Sequence, residues 1–251
     1  MKLSGSAAQT AFYYKKIHGL SPNWQLKYKL KCKSTEYELS NWLKNSHLKI
    51  NQPIAFIAKE QFSGFGQKSR HWLSPRGGIW LSAAYPIFSK NFAIKIFSLS
   101  FAIKLCEMLK MESIRVDLKW PNDIFFGSKK LIGFLPKVIT RGEETIYVRI
   151  GLGMNLSNKT PPNGISLSKI LNTKYLCEYY WTAKILKAIN ESIEINSEDR
   201  KKYIIKKTNE YLTKNYLPTG YSSDDWRIRA VDQNGNLEIL NKDNEETLIK
   251  F

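Results

Sequence analysis

The sequence predicts an α+β protein: a mixed, mainly antiparallel sheet with helices on one face, followed by a small C-terminal β module. Three observations predict it. Apolar runs of strand length recur up to residue 155, several joined by tight turns at Gly127-Ser128 and Arg141-Gly142-Glu143. Apolar residues at helical spacing occupy separate blocks, 92–110 among them. Beyond Gly220 the pattern shifts to short alternating segments punctuated by Asn234-Gly235 and Asp243-Asn244.

In chain order, residues 1–24 lack periodicity and read as a loosely docked extension. QLKYKLKCK from Gln25 alternates like a strand. Thr35 followed by Glu38 matches a capping box and predicts a helix over TEYELSNWLKN. PIAFIAK (53–59) reads as a buried strand, EQFSGFGQKSRHWLSPRGG as a long connection and IWLSAAYPI (79–87) as the next strand. The helix at 92–110 precedes RVDLKW, IFF, KLIGFLPKVIT and TIYVRIGLGMN, all strand-like, and two helices are expected at 175–194 and 198–213. The chain thus divides into the extension 1–24, a main domain 25–218 and a β module 219–251.

Two hundred and fifty-one residues suffice for a sizeable core plus an annex, and 43% hydrophobic with 24% charged residues is ordinary for a globular protein. Lys+Arg 39 against Asp+Glu 22 leaves a net charge of +17, which favours an acidic partner, an anionic substrate or nucleic acid. The lysines are scattered, so no nucleic-acid-binding tail is expected. Cys32, Cys106 and Cys177 lie too far apart for a zinc motif. With no signal-peptide core and no run of about 20 apolar residues, the expected setting is soluble, reducing and cytoplasmic, away from membranes.

Four stretches could carry chemistry. Gly64-Phe65-Gly66 lets backbone N–H groups approach a ligand, and Gln67, Lys68 and Arg70 supply donors for a phosphate or carboxylate; an ordinary surface loop is the alternative. In KWPND, Pro121 stiffens a corner that presents Asn122 and Asp123 beside Lys119, suited to a nucleotide, a phosphate or Mg²⁺, or else simply an Asn-Asp turn. Lys130 opens KLIGF with its stem entering apolar surroundings, a costly placement unless an anion meets it, although a solvated hairpin-end lysine would look alike. Gly133 bares a strand surface on which a flat ligand could lie, and Gly151 and Gly153, before Asn155, repeat that device at a strand end.

Taken together, KWPND…KLIGF, GFGQKSRHWLSPRGG, IGLGMN, Ser34-Thr35 and AVDQNGNLEIL resemble the biotin protein ligase family in one order from about Ser34 to Leu240. The resemblance is to ligases without a DNA-binding domain, and implies a class II aminoacyl-tRNA synthetase-like catalytic domain and no specific DNA binding. It implies ATP-dependent attachment of biotin, through biotinyl-5′-AMP with Mg²⁺, to a lysine of the biotin carboxyl carrier protein of acetyl-CoA carboxylase. Lys130 matches the catalytic lysine bridging the biotin carboxylate and the α-phosphate. Ser34, Thr35, Gln61, Gly64, Phe65, Trp72 and Gly133 match the biotin pocket. Gln67, Lys68, Arg70, Lys119, Asn122, Asp123, Gly153 and Asn155 match the ATP or adenylate side, and no metal ligand set is assigned.

The chain departs from the family pattern at several points. Phe65 and Gln67 stand where arginines are usual, Ser69 where glycine is, and Lys137 at a position often acidic. Pro136 interrupts its strand, and no aromatic residue lies between Asn155 and Leu171 to cover adenine. A degenerate homologue that binds biotin or its adenylate, and a lipoate or octanoyl transferase of the same fold, are the alternatives. The Arg-x-x-Gly-Gly-Gly…His signature of the transferases is absent, and Gln61 with KWPND favours biotin.

Overall fold

The computed structural model describes residues 6–19, 22–45, 51–67, 70–90, 92–195 and 197–250. The helices are α1 (Ser6–His18), α2 (Thr35–Asn45), α3 (Ile94–Lys110), α4 (Leu167–Ile170), α5 (Glu178–Ser192) and α6 (Glu198–Tyr211). The strands are β1 (Gln25–Lys29), β2 (Ile54–Ala58), β3 (Ile79–Lys90), β4 (Asp117–Lys119) and β5 (Asp123–Phe126), then β6 (Lys129–Arg141), β7 (Glu144–Met154), β8 (Trp226–Val231), β9 (Leu237–Asn241) and β10 (Glu246–Ile249). They fall into two compact units: residues 1–92 with 128–190, and residues 93–127 with 191–251.

In the first unit the strands follow the order β1-β2-β3-β7-β6. β1 and β2 run parallel, whereas β2–β3, β3–β7 and β6–β7 are antiparallel. The parallel pair follows from the helical crossover of α2 between its strands. All five residues of β2 are buried, as expected for an apolar strand covered on both sides. Leu39 and Leu43 of α2 pack over Ile54, Phe56, Ala84 and Tyr147 on one face. Ile57, which alternates to the other face, lines a small cavity with Ser6, Thr10, Tyr179 and Thr182 of α1 and α5. Helices therefore stand on both faces of this sheet, adding a layer to the single one expected.

Residues 6–18, expected to be part of a loosely docked extension, form α1, which buries Ser6, Thr10 and Tyr14. These lie four residues apart, so the helix has a buried stripe that is polar and invisible to a search for apolar periodicity. The helix is held by polar and ring contacts: Ser6 Oγ donates to Tyr179 Oη at 3.4 Å, His18 lies 2.8 Å from the Asn190 amide nitrogen, and the Tyr13 and Tyr180 rings meet edge-on at 6.0 Å.

In the second unit α3 packs against α6 and the β4–β5 hairpin, and α6 also meets β8. β8, β9 and β10 form a three-stranded antiparallel sheet, the expected C-terminal module. Asn209 of α6 fastens this sheet: its amide donates to the Val231 carbonyl at 3.0 Å and accepts from the Val231 N–H at 2.8 Å. Among the described residues no helix is long and apolar enough to cross a membrane.

Candidate active site

The long connection between β2 and β3 is a folded arm. Gln61 bridges to Cys32 in parallel and to Ser74 antiparallel, and Phe65 bridges to His71. These bridges pair backbone groups that an open loop would leave to water. Inside this arm the Gln61 side chain makes three hydrogen bonds. Its Oε1 accepts from the Thr35 N–H at 2.7 Å and from Thr35 Oγ1 at 3.1 Å, while its Nε2 donates to Ser74 Oγ at 2.8 Å. Ser74 Oγ donates in turn to the Trp72 carbonyl at 3.0 Å. Thr35 also shares a 2.9 Å hydrogen bond with Ser82.

Ser34, not Thr35, caps α2: its Oγ accepts from the Tyr37 N–H at 3.1 Å. The capping box expected from Thr35 and Glu38 does not form, because Thr35 is already helical and Glu38 pairs with Lys29 at 2.8 Å. The cap moves one residue because Gln61 supplies the Thr35 N–H with an acceptor and draws its hydroxyl toward the relay. Beneath this turn Glu36 Oε1 meets Arg149 at 2.8 Å and Lys137 at 4.0 Å. Arg149 and Lys137 oppose one another across β6 and β7, so the carboxylate separates two like charges. Arg149 also donates to Ser40 Oγ at 2.8 Å and to the Glu36 carbonyl at 3.2 Å, fixing the turn that carries Thr35.

Trp72 links the relay to Lys130. Gly133 and Gly153 are paired in register on β6 and β7. The indole lies over both: a Cβ on Gly153 would meet Trp72 Cε2 at 2.6 Å, and one on Gly133 would meet Trp72 Cζ3 at 3.1 Å and Lys130 Cε at 2.7 Å. The bare strand surface expected to receive a flat ligand is thus covered by Trp72. Lys130 Nζ stands 4.8 Å from the indole centroid, within cation–π range. Trp72 Nε1 is buried with no hydrogen-bond partner among the described residues. Gly64 backs the same junction, where a Cβ would approach Ser74 Oγ at 2.6 Å and the Trp72 carbonyl at 2.7 Å.

The backbone of Lys130 is held on both sides. Its N–H donates to the Asn163 carbonyl at 2.9 Å, and its own carbonyl accepts from the Ile165 N–H at 3.0 Å and Asn155 Nδ2 at 3.3 Å. Asn155 Oδ1 accepts from Asn158 at 2.9 Å. Both ends of the Asn155 amide are therefore engaged in shaping the strand end that presents Lys130. Cys32, beside Gln61, has its thiol pushed up to about 11, chiefly by burial with the Glu38 charge adding, so it stays a neutral thiol near pH 7.

Phe65, Gln67 and Arg70 are exposed, and Lys68, like Ser69, lies outside the described residues. Gly66 and Arg70 close the arm through a 2.7 Å N–H to carbonyl bond. In the second unit, Asn122 is buried and Asp123 half-buried. Lys119 Nζ lies 4.8 Å and 5.3 Å from the ring centroids of Tyr216 and Phe125. The Trp120–Pro121 peptide bond is cis, and Trp120 Nε1 donates to the Gly235 carbonyl at 3.1 Å. Ser74, Ser82 and Arg149 belong to the site and were not anticipated. Ser74 alone carried a sequence signal, two residues after Trp72 in an alternating stretch.

The biotin/lipoate A/B protein ligase family model matches residues 31–155. The bifunctional ligase/repressor BirA of Bacillus subtilis is 28% identical over 48% of this chain and 39% of its own length. The Escherichia coli protein of that name is 32% identical over 41% of this chain and 33% of its own. The chain thus spans well under half the length of these relatives. Among solved structures, a biotin protein ligase from Aquifex aeolicus in complex with biotin and ATP superimposes with a TM-score of 0.67 at 22% identity, covering 90% of this chain and 95% of that one, which shows a shared fold. Through residues 31–155, with the relay, Trp72 and Lys130 inside that span, the chain belongs to the biotin/lipoate A/B protein ligase family.

Proposed function

We propose that this protein activates biotin with ATP as biotinyl-5′-AMP and passes the acyl group to a lysine of a biotin carboxyl carrier domain. The observation that carries this reading is the continuous path Thr35–Gln61–Ser74–Trp72–Lys130 within one unit. It offers amide and hydroxyl groups at one end, an indole in the middle and a cation at the other, the order of a ureido ring, an apolar chain and a carboxylate. Burying a ureido group without partners costs roughly 2–7 kcal/mol, so a few placed polar groups confer selectivity.

In this proposal Lys130 draws the biotin carboxylate and the α-phosphate together. A carboxylate oxygen attacks the α-phosphorus, pyrophosphate leaves, and Lys130 offsets the charge gathered there. In the second half-reaction the carrier amine attacks the acyl carbon, loses a proton and expels AMP. Lys119 and Asn122 serve the nucleotide. Asp123, a half-buried carboxylate, fits Mg²⁺, which is commonly held by one or two carboxylates together with substrate phosphates. When bound, the ion neutralises phosphate charge.

The test is labelling of a recombinant biotin carboxyl carrier domain by the purified chain. Label that requires both biotin and ATP, with lipoate inert in its place, supports the reading. No label and no pyrophosphate release would leave a biotin-binding homologue, and labelling by lipoate instead would indicate the sister activity.

A further inference from the structure

The arm that carries Gln61 and Trp72 also has an outer side. Gln61 pairs with Ser74, and the Phe62 N–H donates to the Cys32 carbonyl at 3.1 Å, so three chain segments run side by side. Successive residues of an extended segment face opposite ways. Phe62 follows Gln61 and Leu73 precedes Ser74, which places them across from each other and away from the relay. Both are open to solvent, Phe62 at 62% and Leu73 at 48%, as is Tyr37 at 49%. Lys33 Nζ covers the Tyr37 ring at 5.4 Å. Lys31 and Arg76 share a single carboxylate, Glu60, at 3.0 Å and 3.6 Å. Lys29 and Glu38 pair at 2.8 Å beside Tyr37, so the local balance is four cations to two anions around an apolar centre.

Single exposed apolar side chains are unremarkable, but a cluster with a charged rim marks a contact surface. We infer that Phe62, Leu73 and Tyr37, rimmed by Lys31, Lys33 and Arg76, dock an acidic protein domain that presents the acceptor lysine; this rests on the ligase reading. Two arguments select that occupant. The surface is the outer side of the arm whose inner side carries Gln61 and Trp72, so a domain seated there borders the segment that holds the relay. Its basic rim, on a chain of net charge +17, attracts an acidic partner and speeds encounter. A second copy fits poorly, because a two-fold interface would set this rim against itself.

The test is equilibrium binding of the full chain to a recombinant, unbiotinylated biotin carboxyl carrier domain, for the wild type, Phe62→Ser/Leu73→Ser and Lys33→Glu. The double variant is expected to bind about tenfold more weakly or worse, as for truncated interface anchors. Lys33→Glu is expected to bind more weakly with a shallower salt dependence, and all three proteins to release pyrophosphate from biotin and ATP equally. A carrier Kd within twofold of wild type in the double variant overturns the proposal, as does a wild type that does not bind the carrier. So would a self-association, or affinity for a single-stranded oligonucleotide, that the variants lose while keeping the carrier. Binding is read without catalysis: a wild type that binds the carrier here yet releases no pyrophosphate sinks the ligase reading and leaves the surface standing.

Discussion

Replacing Gly153 by alanine should separate the indole from the strand pair it covers. The new Cβ would lie 2.6 Å from Trp72 Cε2 and 2.8 Å from Cζ2. Carbon atoms in contact prefer about 3.5–4.0 Å, so the ring must retreat by about 1 Å. Overpacking of this kind costs about 1–3 kcal/mol, and loosening Lys130 from the ring removes a further ~0.5–2 kcal/mol. At about 2–4 °C per kcal/mol for a chain of this size, a loss of about 2 kcal/mol lowers the melting temperature by about 4–8 °C. A displacement of about 1 Å at a reacting group can cost about a hundredfold in rate, so pyrophosphate release should fall about ten- to a hundredfold. Gly151→Ala is the internal control, since its Cβ would sit at ordinary distances of 3.7 Å from Glu36 Oε2 and 3.8 Å from Ser82 Oγ. It should melt and turn over like wild type. If Gly153→Ala matches Gly151→Ala in both calorimetry and pyrophosphate release, the indole does not depend on that glycine and the reasoning fails.

Lys130→Ala is expected to abolish biotinyl-AMP formation while lowering the melting temperature by about 1–8 °C, because the contact with the Trp72 ring is lost and no core volume; wild-type adenylation in the variant would remove Lys130 from the mechanism. Gln61→Leu strands the Thr35 N–H and Ser74 Oγ and should cost about 2–3 kcal/mol in a urea titration, at about 1 kcal/mol per hydrogen bond, together with biotin affinity by calorimetry; intact affinity would refute a polar pocket here. Gln67→Arg replaces a neutral donor by a charged, bidentate one and should slow adenylate dissociation about tenfold in a filter assay, an unchanged or faster rate speaking against it. Iodoacetamide at pH 8 should modify exposed Cys177 first, with buried Cys32 and Cys106 reacting only in urea; early labelling of Cys32, whose thiol burial holds near 11, would contradict its environment.

Much of the fold is written locally. A continuous apolar run marks β2, alternation and turn chemistry mark the β6–β7 hairpin and the C-terminal module, and the helical spacing of 92–110 corresponds to α3 at Ile94–Lys110. Thr35–Asn45 matches the expected helix to the residue. Other features depend on partners distant in the chain. α1 was missed because the face it buries is Ser, Thr and Tyr, matched to α5 and not to an apolar core. α4 spans only Leu167–Ile170, too short to show a period.

The same division runs through the site. The sequence by itself determined which residues are short, rigid, charged or without a side chain: Gly133 and Gly153, Lys130, the Trp-Pro corner and the Gln61–Ser74 arm. Tertiary structure alone decided their use. It made Ser34 the cap in place of Thr35, laid Trp72 over the glycine pair, engaged both ends of the Asn155 amide and set Arg149 under the first turn of α2. The physical reason is that a residue's periodicity shows the face on which it lies, whereas the acceptor a hydroxyl finds or the ring that fills a strand surface is set by contacts between segments tens of residues apart.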